Sequence, residues 1–264
     1  MTRYLKPGNP LSGSVEHFYH FVLQYLLPLF EMELTDGIVG KGYVVRDCGP
    51  MNVWFDFVFG PNAFTIMPRQ KFLAVPSWRW WDRHIELEAF AGRTGPLVDA
   101  TRFHDVASAF REKLVPRNTR PDTVTVLNRQ PPPSFYLDGS AEKSGGGSHR
   151  RSISNLDQLS QMISERMPVN IVDFAGMSPA DQMTAIGGST VLVGQHGAGL
   201  VHSIFLQGDA PLVELTNLTD RKLHFRRLSE GLGRDYQAFY LDKRHATLSP
   251  QMMNEIVDFL VDRV

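Results

Sequence analysis

The 264-residue chain carries one cysteine, Cys48. No disulfide can form within it, which fits a reducing compartment, and a buried, inert thiol is the expected fate of such a residue. No apolar run is long enough to span a bilayer: the longest, Phe18 to Phe30, is interrupted by Gln24 and Pro28. The amino terminus, MTRYLKPGNPLSGS, lacks the basic segment and apolar core of a secretory signal. These absences predict a cytoplasmic location with at most peripheral membrane contact. An excess of either charge is missing as well, with 27 Lys and Arg against 28 Asp and Glu. The formal net charge is -1, which excludes a general pull toward nucleic acid or anionic membrane, so any anion site must be local.

Several chemical signatures are also missing. No Asp-x-Asp pair occurs, so the usual short carboxylate anchor for a divalent metal on a sugar nucleotide is absent. There is no Gly-x-x-x-x-Gly-Lys-Ser/Thr loop, no Gly-x-Ser-x-Gly elbow, no cysteine cluster and no His-x-x-x-His pair. His17 and His20, in EHFYHF, stand three apart and so on one helix face, but no third ligand is evident and no metal is expected.

What remains is an ordinary soluble composition, 42% hydrophobic and 21% charged, on a chain long enough for one large domain or two small ones. Apolar spacing predicts a helix over 15–31 and another over 101–114. Short β-branched or aromatic runs predict strands at 37–45, 53–59 and 71–75, with Phe55, Phe57 and Phe59 alternating on one strand face. From 119 the pattern is more regular. A buried strand, 124–127, ends in Asn128 and Arg129. It is followed by a Pro-, Gly- and Ser-rich stretch, 131–149, that predicts a mobile loop. Helices then alternate with strands: helix 156–165, strand 169–173, helix 179–186, strand 190–193, a helix from about Gly199, strand 211–215, and a last helix over 250–264. Such alternation with continuous apolar strands predicts a doubly wound parallel sheet. The expected division is an α/β domain over 1–118, a more regular Rossmann-like domain over 119–248, and a closing helix over 249–264.

In sheets of this kind ligands collect at the carboxyl ends of the strands. The strand that ends in VGQHGAGL places Gly197, Ala198, Gly199 and Leu200 there. Glycine admits close backbone approach, and the first amides of a helix have no internal partner, so the turn is a ready anion site. Taken alone, such a turn can equally serve tight packing. His196 reads either as a satisfied buried histidine or as a donor to a phosphate, a donor to a sugar hydroxyl, or a general acid to a leaving group. Glu214 ends the next strand, where a carboxylate can accept hydrogen bonds from ribose hydroxyls or simply be a solvated charge. Arg129, Arg150 and Arg151 flank the loop at the same edge and read as phosphate-binding guanidinium groups or as ordinary surface charges. Asn155 precedes a helix and reads as a ligand donor or an N-cap. Trp78, Trp80 and Trp81, in VPSWRWWDR, suit a domain-interface wedge or a stacking surface for an acceptor.

The order EHFYHFVLQYLLPLF, VLNRQ, RRSISN, VGQHGAGLVHSIFL, PLVEL resembles glycosyltransferase family 61. The match extends over about 14–240 and is most specific in the carboxyl half. The resemblance implies a GT-B architecture: two Rossmann-like domains facing across a cleft, the second holding a nucleotide-diphosphate sugar and the first the acceptor. It implies an inverting, metal-independent transferase with no cofactor, acting on a hydroxyl of a glycan, polysaccharide or protein. Arg129, Arg151 and Asn155 match the family's basic element, His196 to Leu200 its glycine turn, Glu214 its strand-end acid and His20 its N-terminal histidine. Gln24 stands where family members often carry an acid. His20 is the expected base, with His17, Asp47 and Asp56 behind it. The rival readings are a non-catalytic nucleotide- or glycan-binding module and a phage-type transferase acting on modified DNA. The missing basic stripe opposes the latter.

Overall fold

A computed structural model describes residues 2–8, 13–75, 83–91, 99–117, 119–217 and 224–263. Trp78, Trp80 and Trp81 lie outside them. The chain forms two compact units, Met1–Val106 and Ala107–Val264, and each is built on a parallel sheet.

In the first unit β1 (Arg3–Lys6), β2 (Tyr43–Arg46), β3 (Thr65–Met67) and β4 (Arg83–Glu86) pair in the order β3-β2-β1-β4, all parallel. The expected helix over 15–31 is present but interrupted. α1 (Phe18–Phe21) passes into a π-helical turn, Val22–Leu26, before α2 (Leu27–Asp36). Proline at position 28 explains the widening. It has no N–H to offer the carbonyl four residues back, and Gln24 O instead accepts from Gly8 N at 3.0 Å, while Leu23 O accepts from Phe90 N at 2.9 Å. Gly37 ends α2 in the left-handed region, φ 58°.

Two expected strands are helices. Residues 53–59 form α3 (Val53–Phe59), and residues 71–75 fall largely in α4 (Arg69–Leu73). Trp54, Phe55, Val58 and Phe59 are buried, a three- and four-residue spacing that a helix matches and the alternation of aromatics disguised. Phe55 packs edge-on against Phe21 at 5.4 Å and Tyr25 at 5.6 Å. The strand expected over 37–45 shrinks to β2 because Gly37, Gly40 and Gly42 all take positive φ. β2 is tied to β1 by the Tyr25 phenol, which donates to Leu5 O at 2.7 Å and accepts from Arg46 N at 2.8 Å.

The boundary between units falls within α5 (Ala100–Leu114). The second unit then runs β5 (Thr123–Leu127), α6 (Gly147–Arg150), β6 (Ser152–Ile153), α7 (Leu156–Ser164), β7 (Val169–Val172), α8 (Pro179–Gly187), β8 (Ser189–Gln195), β9 (Leu212–Thr216), α9 (His224–Gly231), β10 (Tyr236–Tyr240), β11 (His245–Ala246) and α10 (Pro250–Val261). Five strands form one parallel sheet, β10-β9-β8-β5-β7. β11 and β6 pair separately. Val124, Val126, Val191, Val193, Val213 and Leu215 point to one face of the large sheet and pack with Leu159 and Ile163 of α7 and Ile256 and Leu260 of α10. Burying each such aliphatic side chain stabilises by about 1.5–3 kcal/mol. Ser178 and Ser249 cap α8 and α10, accepting from Asp181 N and Met252 N.

After β8 the chain enters a tight 3-10 helix, Ala198–Phe205, in place of the expected α-helix. The Gly199 carbonyl, which an α-helix would give to the amide four residues on, lies 2.8 Å from His202 Nδ1. His202 is buried, stacked on Phe174 at 3.9 Å, with Nε2 2.6 Å from Gln182 Oε1. Among the described residues no helix is long and apolar enough to cross a membrane.

Candidate functional site at the carboxyl edge of the second sheet

β5, β8 and β9 end side by side, and each delivers one polar residue to that edge: Arg129, His196 and Glu214. The register pairs Leu127 with Gly194 and Gly194 with Glu214, so the convergence follows from strand order alone.

Arg129 lies across the glycine turn. Its Nη1 donates to His196 O at 2.7 Å and its Nη2 to Gly147 O at 3.0 Å. The guanidinium occupies the space over Gly197, where a Cβ would come within 1.8 Å of Nη1. Gly197 has extended φ of 168°, so glycine is required there by the close approach of Arg129 and not by backbone conformation. Gly194 is confined in the same way, by Leu200 Cδ2 at 2.9 Å and Leu127 Cβ at 3.1 Å. The amides of Ala198 and Gly199 open the 3-10 helix, ahead of any i to i+3 bond.

The stretch 131–149 returns to this place. Ser148 N donates to Gln130 O at 2.9 Å, closing its base, and Gly145 N donates to Tyr136 O at 3.0 Å. α6 then brings Arg150 and Arg151 to the site. Arg151 is only 6% exposed, and its Nε, like that of Arg129, is buried without a hydrogen-bond partner among the described residues. Burial, followed by the charges of Arg151 and Arg150, pushes Arg129 down to about 10. Arg151 is lowered by burial and by Arg150 and Arg244, with Glu214 acting the other way. Arg129 and Arg151 are thus partly desolvated at this strand edge, with the exposed Arg150 and Arg244 within electrostatic range. Crowded, partly desolvated cations of this kind repel one another, and an anion placed among them removes that cost.

His196 is held from three sides. Its backbone N donates to Leu215 O at 2.9 Å, Phe225 meets the ring edge-on at 5.3 Å, and Nδ1 is hydrogen-bonded to Glu214 Oε1. A carboxylate is an acceptor only, so Nδ1 carries the proton, and Nε2 is the nitrogen that faces outward. Glu214 is 2% exposed, and its Oε2 accepts from the Tyr236 phenol at 2.6 Å. Burial and the Glu214 charge push that phenol well above its ordinary range, so it stays a donor.

The remaining residues singled out in the sequence lie elsewhere. Asn155 precedes α7, but its side chain makes no capping bond. Instead Nδ2 donates to Leu248 O at 3.0 Å and Oδ1 accepts from Leu248 N at 2.8 Å, which pins the segment after β11. His20 belongs to the first unit, in α1, partly buried with Gly13 against its ring. Asp47 Oδ1 accepts from Gly49 N and Asn52 Nδ2, and Asp56 is exposed on α3. Among the described residues no group of three or more His, Cys, Asp or Glu is placed to hold a metal ion. Sequence reasoning missed Tyr236, Arg244 and Phe225. The signal was available only for Tyr236, in the β-prone run YQAFY.

Gly197→Ala tests the seat of Arg129 directly. The added methyl displaces a flexible guanidinium tip and leaves the backbone in place, so the fold should persist. Binding of inorganic pyrophosphate, read by calorimetry, should weaken roughly tenfold or more, the worth of one hydrogen bond to a charged group.

The family profile described as Glycosyltransferase 61 matches residues 18–213. The chain is 29% identical over 98 residues to Beta-1,2-xylosyltransferase RCN11 of Oryza sativa subsp. japonica, covering 36% of this chain and 18% of the relative. It is 31% identical over 80 residues to Beta-1,2-xylosyltransferase of Arabidopsis thaliana, covering 30% of this chain and 15% of the relative. These matches thus extend over less than a fifth of either relative's length. With the family profile covering most of its length, the chain belongs to glycosyltransferase family 61.

Proposed function

We propose that this glycosyltransferase moves a sugar from a nucleoside-diphosphate donor to a hydroxyl acceptor, with inversion at the anomeric carbon and without a metal. The observation that carries the reading is the pair of guanidinium groups at the Gly197–Gly199 turn, Arg129 half-buried and Arg151 buried, each with an unpartnered Nε, with Glu214 as the acid that offsets Arg151. A diphosphate fits this charge and these donors, and guanidinium groups take the place a metal fills elsewhere. The sequence has no Asp-x-Asp anchor, in keeping with that assignment.

In the reaction the acceptor oxygen forms a bond to the anomeric carbon while the bond from that carbon to the phosphate oxygen breaks on the opposite face. The acceptor proton passes to a base, and the electron pair leaves with the nucleoside diphosphate. Stabilising the charge that develops on the leaving group is the largest task. Arg129, Arg151 and the amides of Ala198 and Gly199 perform it. His196 enters this step as the imidazolium: the Nδ1 proton stays in the hydrogen bond to Glu214, and the second proton, on Nε2, passes to the departing phosphate as His196 acts as general acid and returns to the neutral ring. We assign the base to the first unit, at His20, with His17, Asp47 and Asp56 as substitutes. In this reading the two units are the acceptor and donor halves of a GT-B enzyme.

A thermal-shift panel of nucleotide sugars tests the proposal, because a ligand bound to the native state raises stability by mass action. The xylosyl transfer in the names of the two relatives puts nucleoside-diphosphate pentoses first in the panel, then hexoses. At a hundredfold excess over Kd the expected gain is about 2.7 kcal/mol. A folded protein that shifts with no donor would end the transferase reading.

A further inference from the structure

The function proposed above uses His196 and leaves unassigned the group that holds its partner. Glu214 Oε1 meets His196 Nδ1, and Oε2 receives the Tyr236 hydroxyl at 2.6 Å. The contact is a product of strand register. β10 pairs with β9 so that Tyr236 stands opposite Leu212 and Ala238 opposite Glu214. Tyr236 therefore reaches its diagonal neighbour on the same face, within the range a long aromatic side chain covers.

A carboxylate torsion is broad, so a single contact does not fix the plane of Glu214. A competitor is close by: Arg151 lies within electrostatic range of the same carboxylate and has its Nε unpartnered. A bidentate pairing with a guanidinium is a favourable alternative for a carboxylate, and it would draw Glu214 away from the imidazole. The phenol opposes that turn. It occupies Oε2 from the β10 side and leaves Oε1 aimed at Nδ1. We infer that Tyr236 is a positioning residue: through Glu214 it holds the His196 imidazole with its proton on Nδ1, reserving Nε2 for the substrate. This rests on the reading of His196 as a group that meets the donor.

Tyr236→Phe removes the hydroxyl and keeps the ring, so the strand and its packing should survive. Tyr240→Phe, at the far end of the same strand, is the control for damage to β10. The measurement is the ¹⁵N spectrum of histidine-labelled protein at a pH where the ring is neutral, with the His196 signals assigned by their loss in His196→Gln. In the native protein and in Tyr240→Phe, His196 should carry its proton on Nδ1. In Tyr236→Phe the tautomer with the proton on Nε2 should appear as a substantial population, and kcat should fall roughly tenfold or more, with the donor KM held within about twofold. A purely structural role for the phenol would leave the tautomer alone. An imidazole that stays wholly protonated on Nδ1 in Tyr236→Phe overturns the inference, as does a change of equal size in Tyr240→Phe. The spectra are recorded on the resting protein. Failure to find any sugar donor would therefore strike the proposed function and leave the tautomer result standing.

Discussion

Replacing Arg129 by lysine should slow sugar transfer roughly a hundred- to a thousandfold, or about 2.7–4 kcal/mol of barrier, while the protein stays folded. The positive charge survives in this variant, so the loss reads out geometry. Arg129 bridges two carbonyls at once, His196 O and Gly147 O, from the two ends of one planar group. An ammonium is a point donor on a flexible stem and cannot span both. Two consequences follow. The glycine turn loses the group that covers Gly197, and the segment entering α6 loses its tie to the sheet edge, which loosens Arg151 as well. Both kcat and the donor KM should therefore suffer, and the donor-induced melting shift should shrink. Turnover within about fivefold of the native enzyme would mean that the guanidinium does not sit against the leaving group.

Glu214→Gln should act on kcat alone and by a comparable or larger amount, roughly a hundred- to ten-thousandfold, the range that general acid catalysis contributes. The change is nearly isosteric, so packing is preserved. Tyr236 decides what it does. Its hydroxyl needs an acceptor, and the new amide offers one oxygen, so that oxygen turns to the phenol and the NH2 turns to His196. Nδ1 must then accept, the ring proton moves to Nε2, and the imidazole loses the carboxylate that supports its charged form. Such a neutral ring can still donate a hydrogen bond from Nε2 to phosphate but does not give that proton up to it. Steady-state kinetics that show an unchanged kcat, or a loss confined to KM, would remove His196 from the chemistry.

Much of this site is legible in the sequence, and the reason is local. A parallel strand buried on both faces writes itself as a continuous β-branched run, so β5, β8 and β9 are marked by TVTVL, STVLVGQ and LVELT. Residues just past the first two runs, Arg129 and His196, lie at one edge of the sheet, and Glu214, the lone charge inside the third, stands in register beside Gly194 near that edge, which is why the three can be picked out together. The pairing of His196 with Glu214 was not legible. A strand-end acid facing ribose and one facing an imidazole read alike until side-chain direction is known. Asn155 is a similar case: both ends of its amide go to Leu248, a partner far along the chain. In the first unit the aromatic-rich segment 53–59 has strand propensity, and tertiary burial of Trp54, Phe55, Val58 and Phe59 overrides it. The π-helical turn at Val22–Leu26 follows from Pro28 once the helix exists, though the residues that collect the released carbonyls, Gly8 and Phe90, come from distant segments.

Tyr236 opens β10, one of the two edge strands of its sheet among the described residues. A border strand is braced along one side only and lifts away more readily than strands within. Each transient lifting would take the phenol with it and let the imidazole wander, then restore it on return. If Tyr236 positions the imidazole, the stiffness of that chemistry rests on an edge strand, and amide exchange along β10 and the fidelity of proton transfer should report one shared local equilibrium.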